Sequence, residues 1–164
     1  MDLIMERRSV RSYSAKPVSA EAVTALLRAA MAAPSACNQQ PWRFTVVRRQ
    51  DLKERLAAAS PFAGFAAQAP VILVPAFRKD CQLPEYAPVD TSAAVENLLL
   101  AAVQQGLGAV WLGVYPRPER MAAVAKILQL PPEEATFAMV AVGYPKEQPQ
   151  PVHPFHADWI RELK

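Results

Sequence analysis

The chain has 164 residues, of which 52% are hydrophobic and 20% charged, and these proportions are typical of one compact globular domain. Its net charge of +3 is a modest basic excess, which argues against a broad nucleic-acid-binding face, and no apolar run is long enough to predict a membrane span. Two cysteines and the lack of a signal-like segment argue against a disulfide-stabilised secreted protein, so we expect a cytoplasmic one.

The first half of the chain predicts a helix, a strand, a second helix and a second strand. Ser19 is suited to capping a helix, and the residues after it are apolar at helical spacing until Pro34. These apolar positions are Val23, Leu26, Leu27, Ala30 and Met31. Aromatic and β-branched residues predict a strand over 44–47, followed by a helix over 51–59 and a strand over 71–75 that ends at its proline.

The second half continues the alternation of helices and strands. Asp90 or Thr91 is expected to cap a long helix with a buried apolar stripe. A strand over 109–114, a helix opened by Pro118 and a strand over 137–142 complete the pattern. This interleaving predicts a layered α/β or α+β sandwich, but it leaves the order of the strands open.

Three arginines crowd a short segment near the N-terminus, residues 7–11, where Arg7, Arg8 and Arg11 accompany Ser9. Guanidinium groups present planar forks of N–H donors, and the serine hydroxyl adds another donor, so this composition suits a phosphate. A solvated basic turn explains the same residues equally well, because clusters of like charge usually lie on the surface. The segment therefore predicts one local anion site.

Residues 33–42 form a predicted loop between the first helix and the first strand. Ser35, Asn38 and Gln40 provide donors and acceptors that suit a ligand edge with alternating polar atoms, and Trp42 adds an apolar face. Loops held by a rigid scaffold often bind ligands. The alternative is a loop that only caps the structure.

The stretch from residue 90 to 113 combines a leucine- and alanine-rich helix with a strand bounded by glycines. We assign its apolar stripe to the core, since residues at helical spacing are normally buried there. Gly113 follows a strand and is expected to expose its backbone N–H to a ligand.

The sequence lacks the motifs of several other kinds of binding site. The chain has no Gly-x-Gly-x-x-Gly turn, no phosphate loop ending in Gly-Lys-Ser or Gly-Lys-Thr, and no Cys-x-x-Cys pair. Its two histidines, His153 and His156, have Pro154 between them, which disrupts the helical spacing of a metal-binding pair. We therefore expect no metal site.

In combination, these motifs resemble the FMN-dependent nitroreductase family. They are residues 7–11, the pattern Ala-Pro-Ser-x-x-Asn-x-Gln-Pro-Trp from Ala33, the stretch over 90–102, and the segment over 106–113. Their order and separations match over nearly the whole chain. The arginine segment together with the loop is the specific part, and the leucine-rich helix is supporting.

The resemblance implies an α+β fold, a three-layer α/β/α sandwich with a mixed, largely antiparallel sheet. Residues 1–164 then form a single FMN-binding domain, in which 145–164 is a C-terminal extended arm and tail helix. Two such chains intertwine as a homodimer, and each of the two FMN sites is built from both subunits.

The same resemblance implies the residues that bind the cofactor. One set holds the phosphate and ribityl end of FMN: Arg7, Arg8, Ser9 and Arg11. A second set comes from the opposite subunit: Pro34, Ser35, Asn38 and Gln40. Backbone N–H groups of Leu112 and Gly113 face the N5 and O4 edge of the flavin.

The implied function is an oxidoreductase that passes hydride from NAD(P)H, through flavin N5, to a small acceptor such as a nitroaromatic or quinone in a ping-pong cycle. No side chain is needed as nucleophile or general base, because the cofactor carries the chemistry. Two alternatives are a non-catalytic flavin carrier or sensor and another flavin reaction on the same fold. A nucleic-acid-binding module ranks last, since no aromatic residues interleave with the basic ones.

The chain departs from the family pattern in two places. It is short, and its compact segment over 76–89 leaves less chain to cover a substrate cleft. The basic residue that the family commonly has near the C-terminus falls at Pro154. Either His153 or the N-terminal arginines alone would then have to make that phosphate contact.

Overall fold

The computed structural model describes residues 2–147, 150 and 155–163. The helices of this part are α1 (Leu3–Glu6), α2 (Ala20–Met31), α3 (Gln50–Ala58), α4 (Ala87–Gln104) and α5 (Pro118–Leu128). The strands are β1 (Trp42–Val47), β2 (Val71–Arg78), β3 (Gly108–Gly113), β4 (Glu134–Thr136) and β5 (Ala138–Gly143). Short 3₁₀ turns cover Ala36–Asn38, Gly64–Gln68, Pro84–Tyr86 and Ala157–Trp159.

The strands form one sheet in the order β1-β2-β5-β3, and β4 pairs with β2. The pairings between these strands are antiparallel. A single parallel bridge between Ser9 and Ala109 attaches the N-terminal segment to the outer edge of β3. The expected mixed, largely antiparallel sheet is therefore confirmed.

Helices cover both faces of the sheet. Side chains of β2 alternate between the two faces, so that Val71 and Leu73 join the core formed with α2 and α4, while Ile72 and Val74 join the core formed with α3 and α5. Every residue of β5 is buried. Burial on both faces explains why the central strands are continuously apolar and confirms the three-layer α+β sandwich.

The two helices that pack together on one face begin in different ways. Ser19 caps α2 as predicted, because its Oγ accepts a hydrogen bond from Ala22 N at 3.1 Å. The predicted cap of α4 at Asp90 or Thr91 is wrong. The helix begins one turn earlier, with Pro88 in its first turn, where a proline costs no helical hydrogen bond. Thr91 Oγ1 instead donates to the carbonyl of Ala87 at 2.7 Å.

The prediction that Pro75 ends the second strand is also wrong, since β2 continues to Arg78. Pro75 pairs with Phe44 of β1, and on its other side its carbonyl accepts the N–H of Phe137 at 2.9 Å. Phe137 lies between β4 and β5, and its own carbonyl accepts the N–H of Tyr115 at 2.9 Å. The Phe137 carbonyl therefore has a donor already, and the N–H that Pro75 lacks leaves no acceptor without a hydrogen bond at this gap between β4 and β5.

The close approach of the N-terminal segment to β3 depends on Gly108. A Cβ at this position would lie 2.6 Å from Val10 Cγ2 and 2.9 Å from Pro145 Cγ. We expect Gly108→Ala to lower the free energy of unfolding by about 1 to 3 kcal/mol through overpacking, as measured by urea denaturation. Gly64→Ala is the matched control, because a Cβ there has no atom within 4 Å. Equal urea midpoints for Gly108→Ala and the parent would contradict this prediction.

Candidate active site

The arginine segment, residues 7–11, is held against the edge of β3. Val10 N donates to the carbonyl of Ala109 at 3.1 Å. The hydroxyl of Tyr13 lies 2.5 Å from the Val10 carbonyl and 3.1 Å from the Ala141 carbonyl. Burial raises the pKa of Tyr13, so the phenol stays neutral and remains a donor. The backbone of the segment is therefore fixed at the sheet edge.

The side chains of this segment differ in their partners. Arg7 Nε lies 3.3 Å from Glu96 Oε1 on α4, so part of its charge is already compensated. Arg11 is exposed and donates a long hydrogen bond of 3.4 Å to the carbonyl of Ser9. Within the described residues, Arg8 and Arg11 take part in no ion pair. These two guanidinium groups and the exposed Ser9 hydroxyl are the donors best placed for an anion.

The loop over 34–40 has an unusual backbone, and we call it the cofactor loop after the role that the family resemblance implies for it. Cys37, Asn38 and Gln40 adopt left-handed conformations with φ of 49°, 52° and 46°. An L-residue in this region costs about 1 to 2 kcal/mol, although asparagine tolerates it better than cysteine or glutamine. Such strain persists where surrounding contacts impose it, and it concentrates at ligand-binding loops.

Hydrogen bonds within the cofactor loop hold this shape. Gln40 N donates to Ser35 Oγ at 3.0 Å, and Gln40 Nε2 donates to Asn38 Oδ1 at 3.2 Å. Asn38 and Gln40 are exposed, as is Pro34, while Ser35 is half-buried. Hydrogen bonds thus connect Ser35, Asn38 and Gln40, while Pro34 is exposed next to them in the chain.

Two residues outside the predicted set tie the loop to the helix and to the next segment. Asp90 is 5% exposed, and its Oδ1 accepts the N–H of Ala36 at 2.9 Å. Its Oδ2 accepts a hydrogen bond from Gln39 Nε2 at 2.7 Å. Gln39 Oε1 in turn accepts the N–H of Leu83 at 2.8 Å. The only signal of this role in the sequence is a lone carboxylate near the start of an otherwise apolar helix, which fits a helix cap equally well.

Gly113 ends β3 at the outer edge of the sheet. Peptide groups of a strand alternate between its two sides, and the carbonyl of Ala109 faces outward to Val10. Gly113 therefore also faces away from β5, and its carbonyl accepts Arg120 Nη1 at 3.2 Å. By the same alternation the peptide N–H of Leu112 faces β5, and the Leu112 side chain is buried. Of the two predicted backbone donors, the geometry favours Gly113.

The edge of β3 thus carries arginines at one end and an outward-facing backbone N–H, that of Gly113, at the other. Ala109 and Gly113 are separated by about 13 Å at the usual rise of a strand. A ligand with a phosphate at one end and a hydrogen-bonding ring at the other fits these donors. The cofactor loop contacts α4 near Asp90, whereas Arg7 contacts Glu96, about 9 Å further along the helix axis and a third of a turn around it.

Other candidate features lie apart from this edge or remain outside the description. A cavity of ≈ 330 Å³ lies along α2. It includes none of the predicted site residues, and its lining is formed by Ala20, Glu21, Thr24, Ala25 and Arg28. His153 and Pro154 lie outside the described residues. In the described ranges no three His, Cys, Asp or Glu side chains are grouped to hold a metal, and no helix is long and apolar enough to cross a membrane.

Comparison with known proteins connects this geometry to a family. The profile of the nitroreductase family matches residues 4–61 and 61–144. The chain belongs to the nitroreductase family. A protein of Archaeoglobus fulgidus, provisionally named NADH dehydrogenase/NAD(P)H nitroreductase, is 42% identical to it over 152 residues, which are 90% of this chain and 86% of the relative.

Solved structures agree with this membership. A provisionally named NADH oxidase from Clostridium acetobutylicum has a TM-score of 0.96 at 38% identity and covers 99% of both chains. A provisionally named nitroreductase from Desulfovibrio desulfuricans, in complex with FMN, has a TM-score of 0.85 at 34% identity and covers 99% of this chain and 95% of its own. The enzyme class and cofactor expected from the sequence, an NAD(P)H oxidoreductase with FMN, are confirmed with the family.

The cofactor loop offers a direct test of its internal hydrogen bonds. Ser35→Ala removes the acceptor for Gln40 N, so we expect the Gln40 amide to exchange with solvent at least several-fold faster and the protein to lose about 1 kcal/mol of stability. Amide hydrogen exchange followed by NMR measures the first effect. Ser35→Thr keeps the hydroxyl and should keep the protection, and unchanged exchange in Ser35→Ala would show that this bond does not hold the loop.

Proposed function

We propose that this nitroreductase-family chain reduces a small acceptor, such as a nitroaromatic or a quinone, in a ping-pong cycle. NAD(P)H and the acceptor would then occupy the same side of the cofactor in turn. The observation that carries this proposal is the free edge of β3, where arginines lie at one end and the outward Gly113 N–H at the other. Neither a nucleophilic side chain nor a metal is part of it.

The arginine segment is proposed to bind the phosphate end of FMN. Arg8, Ser9 and Arg11 would donate to the phosphate and ribityl oxygens, because their donors are free of ion pairs among the described residues. Arg7 would act partly through Glu96, its carboxylate partner at 3.3 Å. When bound, FMN supplies the hydride exchange between NAD(P)H and the acceptor.

The ring end of the site is assigned to the strand edge and to the cofactor loop. Gly113 would donate its N–H to the polar edge of the ring, and Leu112 would support it from the core side. The exposed polar surface of the cofactor loop, formed by Pro34, Ser35, Asn38 and Gln40, would complete the site. These groups are oriented before ligand arrives, which lowers the ordering cost of binding.

A homodimer is part of the proposal. The C-terminal tail exposes Phe155, Trp159, Ile160 and Leu163 between 63% and 80% of their surface. Four large apolar side chains in one short segment are typical of a surface that binds another chain. The cofactor loop and Arg7 contact different faces of α4, which supports a site in which the loop of one chain meets the arginine segment of its partner.

The phosphate assignment predicts the effect of Arg11→Ala. Loss of a charge-assisted hydrogen bond to phosphate should weaken FMN binding by about 1.5 to 3 kcal/mol, roughly ten- to a hundredfold in Kd. Fluorescence titration with FMN measures this change. Arg55→Ala removes the same charge from the exposed side of α3 and should leave the Kd unchanged. An Arg11→Ala variant that holds FMN as tightly as the parent would refute the assignment.

The catalytic proposal is tested by anaerobic absorbance spectra of the FMN-loaded protein. We expect NADH or NADPH to bleach the flavin bands, and a nitroaromatic or quinone added afterwards to restore them without the nucleotide being present. Restoration in this second half-reaction is the signature of ping-pong exchange. A flavin that neither nucleotide reduces would favour the alternative of a flavin carrier or sensor.

The dimer proposal predicts sedimentation at about twice the 18.0 kDa chain mass. Replacing both Trp159 and Ile160 with serine should shift the protein toward monomer, because the apolar surface that drives association is lost. Phe62→Ser removes an exposed aromatic side chain outside the tail and serves as the control. A parent protein that sediments as a monomer at micromolar concentration would contradict the proposal.

A further inference from the structure

A chain of partly buried polar contacts links the cofactor loop to the segment over 81–86. We call it the cleft segment, because it belongs to the stretch over 76–89 that the family resemblance places beside the substrate cleft. Gln39 lies at the centre of this chain, with Asp90 on one side and Leu83 on the other. We propose that Gln39 and Asp90 are positioning residues that couple the shape of the cofactor loop to the place of the cleft segment. This inference rests on the proposed function, since it assigns the loop to FMN binding.

The contacts form a chain with a fixed direction. An ionised Asp90 only accepts hydrogen bonds, so the nearby atom of Gln39 must be its NH₂ group, which donates at 2.7 Å. The carbonyl oxygen of the Gln39 amide then faces the cleft segment and accepts the N–H of Leu83 at 2.8 Å. The same NH₂ group also donates to the carbonyl of Leu83 at 3.1 Å. The charge of Asp90 therefore sets the orientation of the whole chain of contacts.

Because Asp90 is buried, its carboxylate depends on hydrogen bonds from the protein. Asp90 is 5% exposed, and no cation pairs with it among the residues described. Its charge is stabilised by two donors, Ala36 N and Gln39 Nε2. Loss of either donor leaves a buried carboxylate short of hydrogen bonds, which is costly. Both donors belong to the cofactor loop, so the loop has one low-energy position relative to α4.

The position of the contacts within the loop explains why binding should depend on them. Ala36 and Gln39 flank the left-handed residues Cys37 and Asn38, and the left-handed Gln40 follows directly. Bonds at Ala36 and Gln39 can therefore impose the strained backbone between and after them. The cleft segment ends at Tyr86, which is 49% exposed and directly precedes α4. A change at Gln39 should thus alter the positions of both the cofactor loop and the cleft segment.

The test compares Asp90→Asn, Gln39→Glu and the double variant with the parent. Asp90→Asn places its new NH₂ group against the N–H of Ala36 or the NH₂ group of Gln39, and a reversed Gln39 amide would only move the conflict to the N–H of Leu83. Gln39→Glu places two carboxylates at the contact with Asp90. The double variant reverses the direction, because the new amide at position 90 donates to a carboxylate at position 39 that can still accept the N–H of Leu83. The hydrogen bond from position 39 to the Leu83 carbonyl is lost, so recovery is expected to be incomplete. We expect each single variant to raise the Kd for FMN about tenfold and the double variant to return within about threefold of the parent.

A second readout separates positioning from mere structural support. The carboxyl pair in Gln39→Glu is relieved when one member takes up a proton, so FMN binding by this variant should improve as the pH falls. Neither the parent nor the double variant contains the carboxyl pair, and neither should show this added pH dependence. Gln104→Glu adds the same charge at the exposed far end of α4 and should match the parent.

Each result decides the inference. Restoration in the double variant, with the pH dependence confined to Gln39→Glu, supports it. Singles that lose stability in urea but keep the parent Kd for FMN would overturn the positioning role, as would a double variant no better than the worse single. A parent that binds no FMN would instead overturn the proposed function itself, which the first titration of the series reveals.

Discussion

Burial of the two central strands on both faces is the constraint on which the rest of the molecule depends. β2 and β5 lie between helices on either side, so their side chains have to be apolar and their peptide groups have to pair within the sheet. Polar chemistry is thereby confined to the ends and edges of the sheet. The arginine segment attaches to one such edge, and the cofactor loop precedes β1.

Much of the fold follows from local patterns that the sequence displays openly. The helix after Ser19 has a cap, an apolar stripe and a terminating proline, and it forms where these predict. The prediction at Pro75 fails because a proline within a strand costs no hydrogen bond where the facing carbonyl has another donor, and that carbonyl belongs to Phe137, far along the chain. The prediction at Asp90 fails for a similar reason, since the groups that need its charge lie in a distant loop.

The candidate site divides in the same way. Residue type alone makes the arginines, the polar loop and Gly113 candidates for ligand binding, although a solvated basic turn and a capping loop would use the same residues. Residue type cannot separate Leu112 from Gly113, since the direction of a peptide group depends on which neighbour a strand pairs with. Nor can it find Gln39, whose function comes from contacts at both ends of one amide. These two assignments require the three-dimensional contacts between residues, which composition and sequence spacing do not contain.

The unpaired half of β3 has a consequence for the protein without its ligand. Among the described residues, the N-terminal segment pairs with this edge near Ala109, and at the far end the Gly113 carbonyl accepts Arg120 while its N–H faces outward. Open strand edges are templates on which other chains add strands. The stretch here is short, which limits such pairing, but none of the residues over 109–113 carries a charged side chain to prevent it. The backbone donor proposed to bind a ligand would therefore also be a place where another strand could add, and a bound ligand would cover it.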